Sequence, residues 1–319
     1  MAEIGKDISN AIHLLQEGEL VAIPTETVYG LAGNALNVSA IAKIFSVKNR
    51  PSFDPLIVHV ASLEKAKEFV KEIPEKANQL TSRFWPGPLT ILLQKKNQIP
   101  DLVTAGLNTV GVRCPDHPLT LALLQKLSFP LAAPSANPFG YVSPTTPAHV
   151  NEQLGDKISY ILDGGPCQVG IESTVIGFES ETPVIYRFGG LSQEKIESII
   201  GKVNTKTYST SNPKAPGQMA SHYSPGKRVI LGNPMDLSKK YKAHTFGAIV
   251  FQKLIQEIDP QNQIVLSPSG NLEEAAQNLF SALRHLDKME IELILAEEVP
   301  DVGLGRAIND RLRRAASNK

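Results

Sequence analysis

The sequence contains few cysteines and no excess of charge of either sign. Among its 319 residues there are 2 cysteines and 1 tryptophan, and 32 basic side chains balance 32 acidic ones. Two cysteines cannot form a paired CxxC zinc site or a disulfide framework, so we expect a reducing, cytoplasmic location. The neutral overall charge argues against a basic protein that coats nucleic acid, although it leaves room for a local basic groove.

Long apolar runs are also missing. Residues 1–20 have the pattern of an amphipathic helix with acidic residues interspersed, rather than the apolar core of a signal peptide. No later segment combines the length and the hydrophobicity of a membrane span. We therefore expect no membrane association. A chain of 319 residues is also long enough to form two domains.

Composition divides the chain into three parts. Residues 203–225 are rich in Lys, Thr, Ser, Asn, Pro and Gly and have little apolar periodicity, which predicts a linker between a domain at 1–202 and a smaller one at 226–319. In the smaller domain, strand patterns alternate with helix patterns, which predicts an α/β unit with a mainly parallel sheet. Its last helix pattern, 303–316, is basic, and we interpret it as a solvated face rather than a nucleic-acid site.

The stretch from Pro24 to His59 has a pattern that suits a binding site. A short apolar strand leads into the hydroxyl-rich turn 25–27, and a helix pattern then ends near Lys48 and Arg50. His59 lies on the next strand pattern. If these hydroxyls, cations and histidine converge, they suit an anionic ligand. The alternative is a polar loop, a solvated helix end and a half-buried histidine.

Rigid polar positions follow two further strand patterns. Arg113 ends a short apolar strand, and Ser135 and Asn137 are bracketed by Pro134 and Pro138. Prolines fix the backbone on both sides of the two small polar residues, which suits them to hold a ligand by hydrogen bonds. A proline-stabilised turn with local hydrogen bonds is the alternative at this position.

A series of motifs occurs in a fixed order along the chain. They are PTETVYGL, KNRP with PLIVH, FWPGPLT, VGVRCP, APSAN, IESTVI and YRFGG. In this order they resemble the YrdC/Sua5 family, and APGQMASHYSP with the following α/β unit resembles its longer, two-domain type. The resemblance implies an α/β fold with a YrdC-like twisted sheet and flanking helices around a basic concavity. A smaller Rossmann-like C-terminal α/β domain is expected to follow.

The resemblance also implies an activity. The family is known as L-threonylcarbamoyladenylate synthase, which combines L-threonine, bicarbonate and ATP into threonylcarbamoyl-AMP and pyrophosphate. The product serves to modify the adenosine beside the anticodon of certain tRNAs. Mg²⁺ is expected to enter with ATP rather than to occupy a dedicated protein site. The expected partners are downstream threonylcarbamoyl-transfer proteins, with a weak direct contact to tRNA.

Individual residues match positions of the family motifs. Lys48 and Arg50 match a K-x-R pair that faces phosphate and are the catalytic candidates. The threonine-binding candidates are Thr27, His59, Arg113, Ala133 and Ser173. The candidates on the nucleotide side are Arg50, Asp54, Thr109, Ser135, Asn137, Ser143, Arg187, His222 and Tyr223. The linker departs from the K-Y-x-H-Y pattern of some members, because only its His-Tyr end is present here.

Two other functions compete with this prediction. The first is an RNA-binding module without catalysis, against which the neutral charge and the lack of RNP or KH motifs count. The second is a carbamoyl-transfer enzyme of the hydrogenase-maturation type, whose zinc-finger region requires more cysteines than this chain has. The fragment Gly303-Leu304-Gly305 lacks the rest of a dinucleotide-binding fingerprint.

Overall fold

The structure is a computed structural model that describes residues 1–208, 213, 215–218 and 223–317. In those residues two β-sheets are formed. The strands of the first are β1 Glu3–Gly5, β2 Val21–Ile23, β3 Gly30–Asn34, β4 Ile57–His59, β5 Leu89–Gln94, β6 Thr109–Arg113, β7 Leu131–Ala132, β8 Tyr160–Leu162, β9 Thr174–Glu179, β10 Thr182–Arg187 and β11 Asn204–Thr205. The strands of the second are β12 Arg228–Leu231, β13 Phe246–Val250, β14 Gln263–Val265 and β15 Leu293–Ala296.

Helices flank both sheets. With the first sheet occur α1 Ile8–Gln16, α2 Val38–Lys48, α3 Leu63–Lys67, α4 Glu75–Phe84, α5 Asp101–Thr104, α6 Pro118–Lys126, α7 Pro147–Leu154 and α8 Gln193–Ile200. With the second occur α9 Pro234–Lys240, α10 Leu272–Lys288 and α11 Gly305–Ala316, together with a 3₁₀ turn at Pro260–Asn262. Among the described residues, none of these helices has the length and apolar content that a membrane crossing needs.

The first sheet is mixed, whereas the second is parallel throughout. The spatial order of the first is β1-β8-β2-β3-β7-β4-β6-β5-β9-β10-β11, and that of the second is β12-β15-β13-β14. All pairings in the second sheet are parallel, as the alternating strand and helix patterns predicted. The fold class is therefore confirmed. We call the elements from β12 to α11 the C-terminal unit.

The pairing of β4 with β6 fixes the position of two predicted site residues. These neighbouring strands are parallel, and their register sets His59 beside Arg113 at the strand ends. The antiparallel partner β7 lies on the other side of β4 and leads directly into Ala133 and the proline-bracketed turn. Because the carboxyl ends of parallel strands meet at one edge of a sheet, residues from distant motifs converge there.

Helix α2 shows how local sequence determines one border of the site. Asn37 caps its N-terminus by accepting hydrogen bonds from Ser39 N and Ala40 N, which satisfies two of the free backbone donors. Its apolar side packs into the main core. Asn49 ends the helix in the left-handed conformation, with φ of 51°. The end of this helix at Lys48 confirms the predicted boundary.

Two strands of the first sheet differ from what the sequence patterns indicate. Residues 3–5 form a strand paired with β8 instead of the start of a helix, which begins only at Ile8 after the cap residue Asp7. Strand β3 was not predicted, because its sequence GLAGN has two glycines and no β-branched residue. Its hydrogen bonds to β2 and β7 outweigh this weak intrinsic preference.

The prediction of a solvated C-terminal helix is wrong. Arg311 and Arg314 are 0% and 1% exposed, which makes them the largest fully buried side chains of the described residues. An arginine inside a protein requires hydrogen-bonded partners for its charge. The partners are Asp310 of the same helix together with a carboxylate and backbone carbonyls from elsewhere in the fold, so a basic sequence pattern here marks an internal contact.

The interface between the C-terminal unit and the first sheet is apolar as well as charged. One hydrophobic cluster joins Val142 and Ile171 of the first region to Leu279 and Leu283 of α10, and it includes Tyr223 of the linker. Of the described linker residues, those from 213 onward are largely buried, whereas residues 204–206 and 208 are exposed. The domain boundaries themselves stay a prediction.

Candidate active site

A cavity lies at the ends of β4 and β6, between the first sheet and the linker. The sequence-predicted residues that line it are Thr27, Arg50, His59, Arg113, Ala133, Ser135, Ser173, Arg187 and Tyr223. Glu172 and the linker residues Pro216 and Gly217 line it too, although sequence reasoning did not select them. Nine candidates from seven separate motifs thus surround one space.

One side of this cavity, which we call the strand wall, consists of Thr27, His59 and Arg113. The Arg113 guanidinium is buried and is held by an ion pair between Nη2 and Glu26 Oε1 at 2.6 Å. Its Nε donates to the carbonyl of Gly87 at 3.3 Å. Its Nη1 has no acceptor among the described residues, so it is the nitrogen available to a ligand.

Glu26 is a functional residue that the sequence analysis missed. Its other oxygen, Oε2, accepts a hydrogen bond from the backbone N of Asp116 at 3.1 Å. With both oxygens engaged, the carboxylate fixes the orientation of Arg113. Its place in the motif PTET was visible in the sequence, but its partner lies in another motif.

His59 is neutral at physiological pH. It is 3% exposed, and burial, reinforced by the positive charge of Arg113, lowers the pKa of its imidazole from 6.5 to about 3. A neutral imidazole can both donate and accept a hydrogen bond. His59 can therefore bind a polar ligand group without adding charge to the strand wall.

The turn that carries Thr27 is held by hydroxyl contacts. Thr25 Oγ1 donates to the carbonyl of Val28 at 2.7 Å and lies 2.8 Å from Thr27 Oγ1. Both threonines are buried and line the cavity. The hydroxyl-rich sequence thus forms a fixed turn rather than a solvated loop.

A second group of lining residues, which we call the linker wall, consists of Glu172, Arg187, Gly217 and Tyr223. Arg187 ends β10 and donates from Nε and Nη2 to the carbonyl of Ser173, at 3.1 and 2.9 Å. Its Nη1 donates to the carbonyl of Pro216 in the linker at 3.2 Å. One arginine at the end of β10 therefore ties Ser173, which directly precedes β9, to the linker.

Ser173 lines the same cavity and contacts the linker wall. Its hydroxyl is 2.8 Å from Thr90 Oγ1 and accepts from Arg187 Nη2 at 3.1 Å. This arrangement orients the Ser173 hydroxyl within the cavity.

Glu172 joins two predicted regions of the chain. Ser143 donates to its Oε1 at 2.6 Å, and Arg311 of α11 donates to its Oε2 at 3.1 and 3.0 Å. Burial alone would raise the pKa of Glu172, but Arg311 and Arg187 hold it below its ordinary value of 4.5. The carboxylate is thus ionised at neutral pH.

Tyr223 places the end of the linker against the cavity. It is 1% exposed, its φ is 65°, and its ring stacks on Phe280 of α10 with a centroid distance of 5.6 Å. Left-handed backbone in a bulky residue is uncommon and requires support from its surroundings. His222, the other predicted linker residue, lies outside the described residues.

The predicted phosphate-facing pair is split between two environments. Arg50 lines the cavity and forms an ion pair with Asp54 Oδ2 at 3.0 Å. Lys48 is 1% exposed, and its Nζ donates to the carbonyls of Ser135 and Asn137 at 2.5 Å each. Burial and the neighbouring Arg50 lower the pKa of Lys48 well below its ordinary value. Lys48 therefore stabilises the proline-bracketed turn through its backbone carbonyls.

Several other candidates do not reach the cavity wall. Asp54 is 0% exposed behind Arg50, and Ser143 acts through Glu172. Asn137 is buried with its side-chain amide on the carbonyls of Pro138 and Tyr141. Thr109 lies at the opposite end of β6 from Arg113, so the strand separates it from the site. A direct ligand contact by these four residues stays a prediction.

The fold and the site together define a two-part α/β protein with a cavity whose arginines suit small anionic molecules. The family model described as "Telomere recombination", which covers Sua5, YciO and YrdC proteins, matches residues 13–189. The model described as "Threonylcarbamoyl-AMP synthase, C-terminal domain" matches residues 191–317.

Individual proteins are similar over nearly the whole chain. Threonylcarbamoyl-AMP synthase of Pyrococcus abyssi is 44% identical over 319 residues, covering 96% of this chain and 93% of the relative. The enzyme of the same name from Bacillus subtilis is 41% identical over 323 residues, covering 98% and 93%. The crystal structure of P. abyssi Sua5 complexed with L-threonine superposes with a TM-score of 0.92 at 40% identity, covering 99% of this chain and 97% of that one. This chain belongs to the Sua5/YrdC family.

Proposed function

We propose that this protein is an L-threonylcarbamoyladenylate synthase, which forms threonylcarbamoyl-AMP and pyrophosphate from L-threonine, bicarbonate and ATP. The observation that carries the proposal is one cavity with Arg113 and His59 on one wall and Arg187 and Tyr223 on the other. It occurs in a chain that is 44% identical, over nearly its full length, to a protein named for this activity.

On the strand wall we propose the threonine site. Arg113 Nη1 would donate to the threonine carboxylate, while Glu26 prevents the guanidinium from turning away. The hydroxyl of Thr27 and the neutral imidazole of His59 suit the polar groups of the amino acid. Among the residues that the structure describes, Arg113 Nη1 has no other acceptor, which suits it to donate to a carboxylate in this position.

On the linker wall we propose the nucleotide site. Arg50 and Arg187 would interact with phosphate oxygens and offset the charge that develops on the leaving pyrophosphate. Hydroxyl groups of Ser135 and Ser173 offer further hydrogen bonds. Glu172, the acidic side chain on the cavity wall, already uses both oxygens. This donor set fits Mg²⁺ that is held mainly by ATP and water, where it would neutralise phosphate charge.

The reaction then needs positioning rather than a covalent intermediate on the enzyme. The threonine amine adds to bicarbonate and water leaves, which gives a carbamate. A carbamate oxygen attacks the α-phosphorus of ATP, and the bond to the β-phosphate breaks to release pyrophosphate. Both walls contribute by holding the reacting groups close together and by electrostatics.

We further propose that the product passes to threonylcarbamoyl-transfer proteins that modify tRNA, with a weak tRNA contact by this protein itself. Two buried free cysteines, Cys114 and Cys167, support a reducing, cytoplasmic setting. Neither thiol is suited to catalysis, because burial raises the pKa of each to about 12.

Product analysis tests the proposed function directly. The protein is incubated with ATP, Mg²⁺, threonine and ¹³C-bicarbonate, and the adenylate is identified by mass spectrometry. We expect a threonylcarbamoyl-AMP that carries the ¹³C label and is absent when any one substrate is omitted. Serine and valine serve as control amino acids. RNA binding with a steep salt dependence and no adenylate would instead favour the non-catalytic RNA-binding module.

A further inference from the structure

Helix α11 of the C-terminal unit contacts the linker wall of the cavity through one arginine. Arg311 is completely buried and directs Nε and Nη2 onto the same oxygen of Glu172, at 3.1 and 3.0 Å. Its Nη1 donates to the carbonyl of Phe188 at 2.7 Å. A residue of the C-terminal unit therefore holds a residue of the cavity wall.

The same guanidinium also contacts the linker. The centre of the Arg311 guanidinium lies 5.1 Å from the centroid of the Tyr223 ring, within the range of a cation–π interaction. Arg311 thus contacts two members of the linker wall at once, Glu172 and Tyr223. The strand wall has no comparable contact with α11 among the described residues.

A second arginine of α11 holds the start of the linker. Arg314 Nη2 donates to the carbonyl of Thr207 at 2.8 Å, and its guanidinium lies 4.6 Å from the ring centroid of Tyr208. Asp310 bridges the two arginines, accepting from Arg314 Nε and from Arg311 Nη1. The helix therefore fixes the linker at two positions on either side of the undescribed residues.

Stability alone does not account for this arrangement. Two carboxylates and two arginines are removed from water, and the desolvation of buried ion pairs often costs as much as their attraction returns. Apolar side chains would fill the same volume without that cost. Buried charged networks instead favour one specific arrangement of the groups that they join.

We propose that Arg311 is a positioning residue for the nucleotide side of the cavity, acting through Glu172 and Tyr223. This inference rests on the proposed function, because it assigns ATP to the linker wall and threonine to the strand wall. In this arrangement the C-terminal unit keeps the linker wall in its nucleotide-binding conformation. Threonine binding does not depend on the C-terminal unit.

The test compares three full-length variants. Arg311→Lys retains the charge but cannot form the paired contact with Glu172. Arg313→Lys is the matched control on the same helix, since Arg313 is exposed and pairs only with Glu298 among the described residues. Tyr141→Phe is the matched interface control, because it removes a hydrogen bond to Asp287 across the same interface without touching the linker wall.

Calorimetry with ATP and threonine, each added alone, gives the decisive readout. We expect Arg311→Lys to weaken ATP binding about tenfold, the usual effect of losing a charge-assisted hydrogen bond. Threonine affinity should change by less than about twofold, and both controls should retain both affinities. A general structural defect would weaken the two ligands alike. Equal losses, or an equal loss of ATP affinity in Tyr141→Phe, would overturn the proposal.

A second variant covers the case in which Arg311→Lys does not fold. Glu172→Gln keeps the shape of the side chain but removes the charge that Arg311 neutralises, and we expect the same preferential loss of ATP binding. Where both single variants fold, the double variant that carries Arg311→Lys and Glu172→Gln should bind ATP as tightly as the single variant with the lower ATP affinity. Additive losses would show that Arg311 does not act through Glu172.

The two proposals fail in different ways. Wild-type protein that binds both ligands but forms no adenylate would contradict the proposed activity, whatever Arg311 does. Wild-type protein that forms the adenylate while Arg311→Lys weakens both ligands equally would contradict only the positioning role.

Discussion

The two walls of the cavity are built in different ways. The strand wall is formed by strand ends and a turn of a single sheet, and Glu26 of the same turn fixes Arg113. The linker wall combines Glu172, the end of β10 and two linker positions, and a buried arginine of α11 holds Glu172. One wall is complete within the first sheet region, whereas the other depends on the C-terminal unit.

Because they are built differently, the two walls should differ in how easily they rearrange. A wall made of paired strands moves little unless the sheet itself opens. A wall that contains a linker can change its arrangement when the contacts of that linker change, as active-site lids do. We therefore expect variants of the strand wall to affect threonine and variants of the linker wall to affect ATP.

The largest effect is expected for Arg113→Ala on the strand wall. Loss of a desolvated charge pair should weaken threonine binding by about 2–5 kcal/mol, while ATP affinity changes far less. Arg113→Lys should restore only part of the loss, because an ammonium cannot reproduce the planar fork. Calorimetry with each ligand alone measures both affinities.

The control for this variant must account for Glu26, the ion-pair partner of Arg113. Removing Arg113 leaves a buried carboxylate without its ion-pair partner, which destabilises proteins by about 3–5 kcal/mol. Glu26→Gln in the same chain removes that charge, so the double variant separates binding from folding. Arg83→Ala, at an exposed position of α4, should change neither affinity. Equal losses for threonine and ATP in the double variant would exclude Arg113 from the threonine site.

The pH dependence of stability should also differ between the walls. As pH falls below 6.5, the unfolded chain protonates His59 but the folded chain does not until about pH 3. Stability should therefore fall by about 2 kcal/mol between pH 6.5 and 5 from this residue. Glu172 has a lowered pKa, so its contribution is present above pH 4.5 and is lost only as the pH falls through its folded pKa.

Urea unfolding at several pH values measures this difference. The variant His59→Asn should lose about 2 kcal/mol less stability than the wild type between pH 6.5 and 5. A substitution of His149 provides the control. Burial lowers the pKa of this imidazole to about 4, as it lowers that of His59, but His149 lies away from the cavity. An unchanged pH slope in His59→Asn would show that His59 is not held neutral.

The strand wall was largely predictable from sequence, because its information is local. Short apolar strands, the prolines that end them and nearby polar residues selected Thr27, His59 and Arg113 as candidates, and the family resemblance assigned them to the threonine site. Glu26 was not identified from the sequence, because nothing in its own segment indicates Arg113 as its partner. Strand β3 was not identified from the sequence, because its pairing partners, rather than its residues, determine its conformation.

The linker wall was less predictable, because its contacts join distant segments. Glu172 and Arg311 lie 139 positions apart, and a basic helix pattern by itself is typical of a solvated face. Only the packing of α11 against the first region shows that Arg311 and Arg314 are internal. Tyr223 was selected through the family resemblance, whereas the arginine above its ring was not.

The smallest expected effect concerns Gly217 on the linker wall. Its φ is +80°, and a Cβ there would lie 2.9 Å from the Tyr223 hydroxyl and 3.2 Å from Arg187 Cδ. Gly217→Ala should cost about 1 kcal/mol of stability from backbone strain and, by displacing these side chains, weaken ATP binding several-fold. Gly106→Ala is the matched control, because Gly106 has φ of +78° but no atom within 4 Å of the added Cβ. It should lose similar stability and no ATP affinity. If the two variants bind ATP equally well, the linker backbone at Gly217 does not shape the nucleotide site, and the contrast between the walls would then rest on Arg311 and on the contact of Arg187 with Pro216.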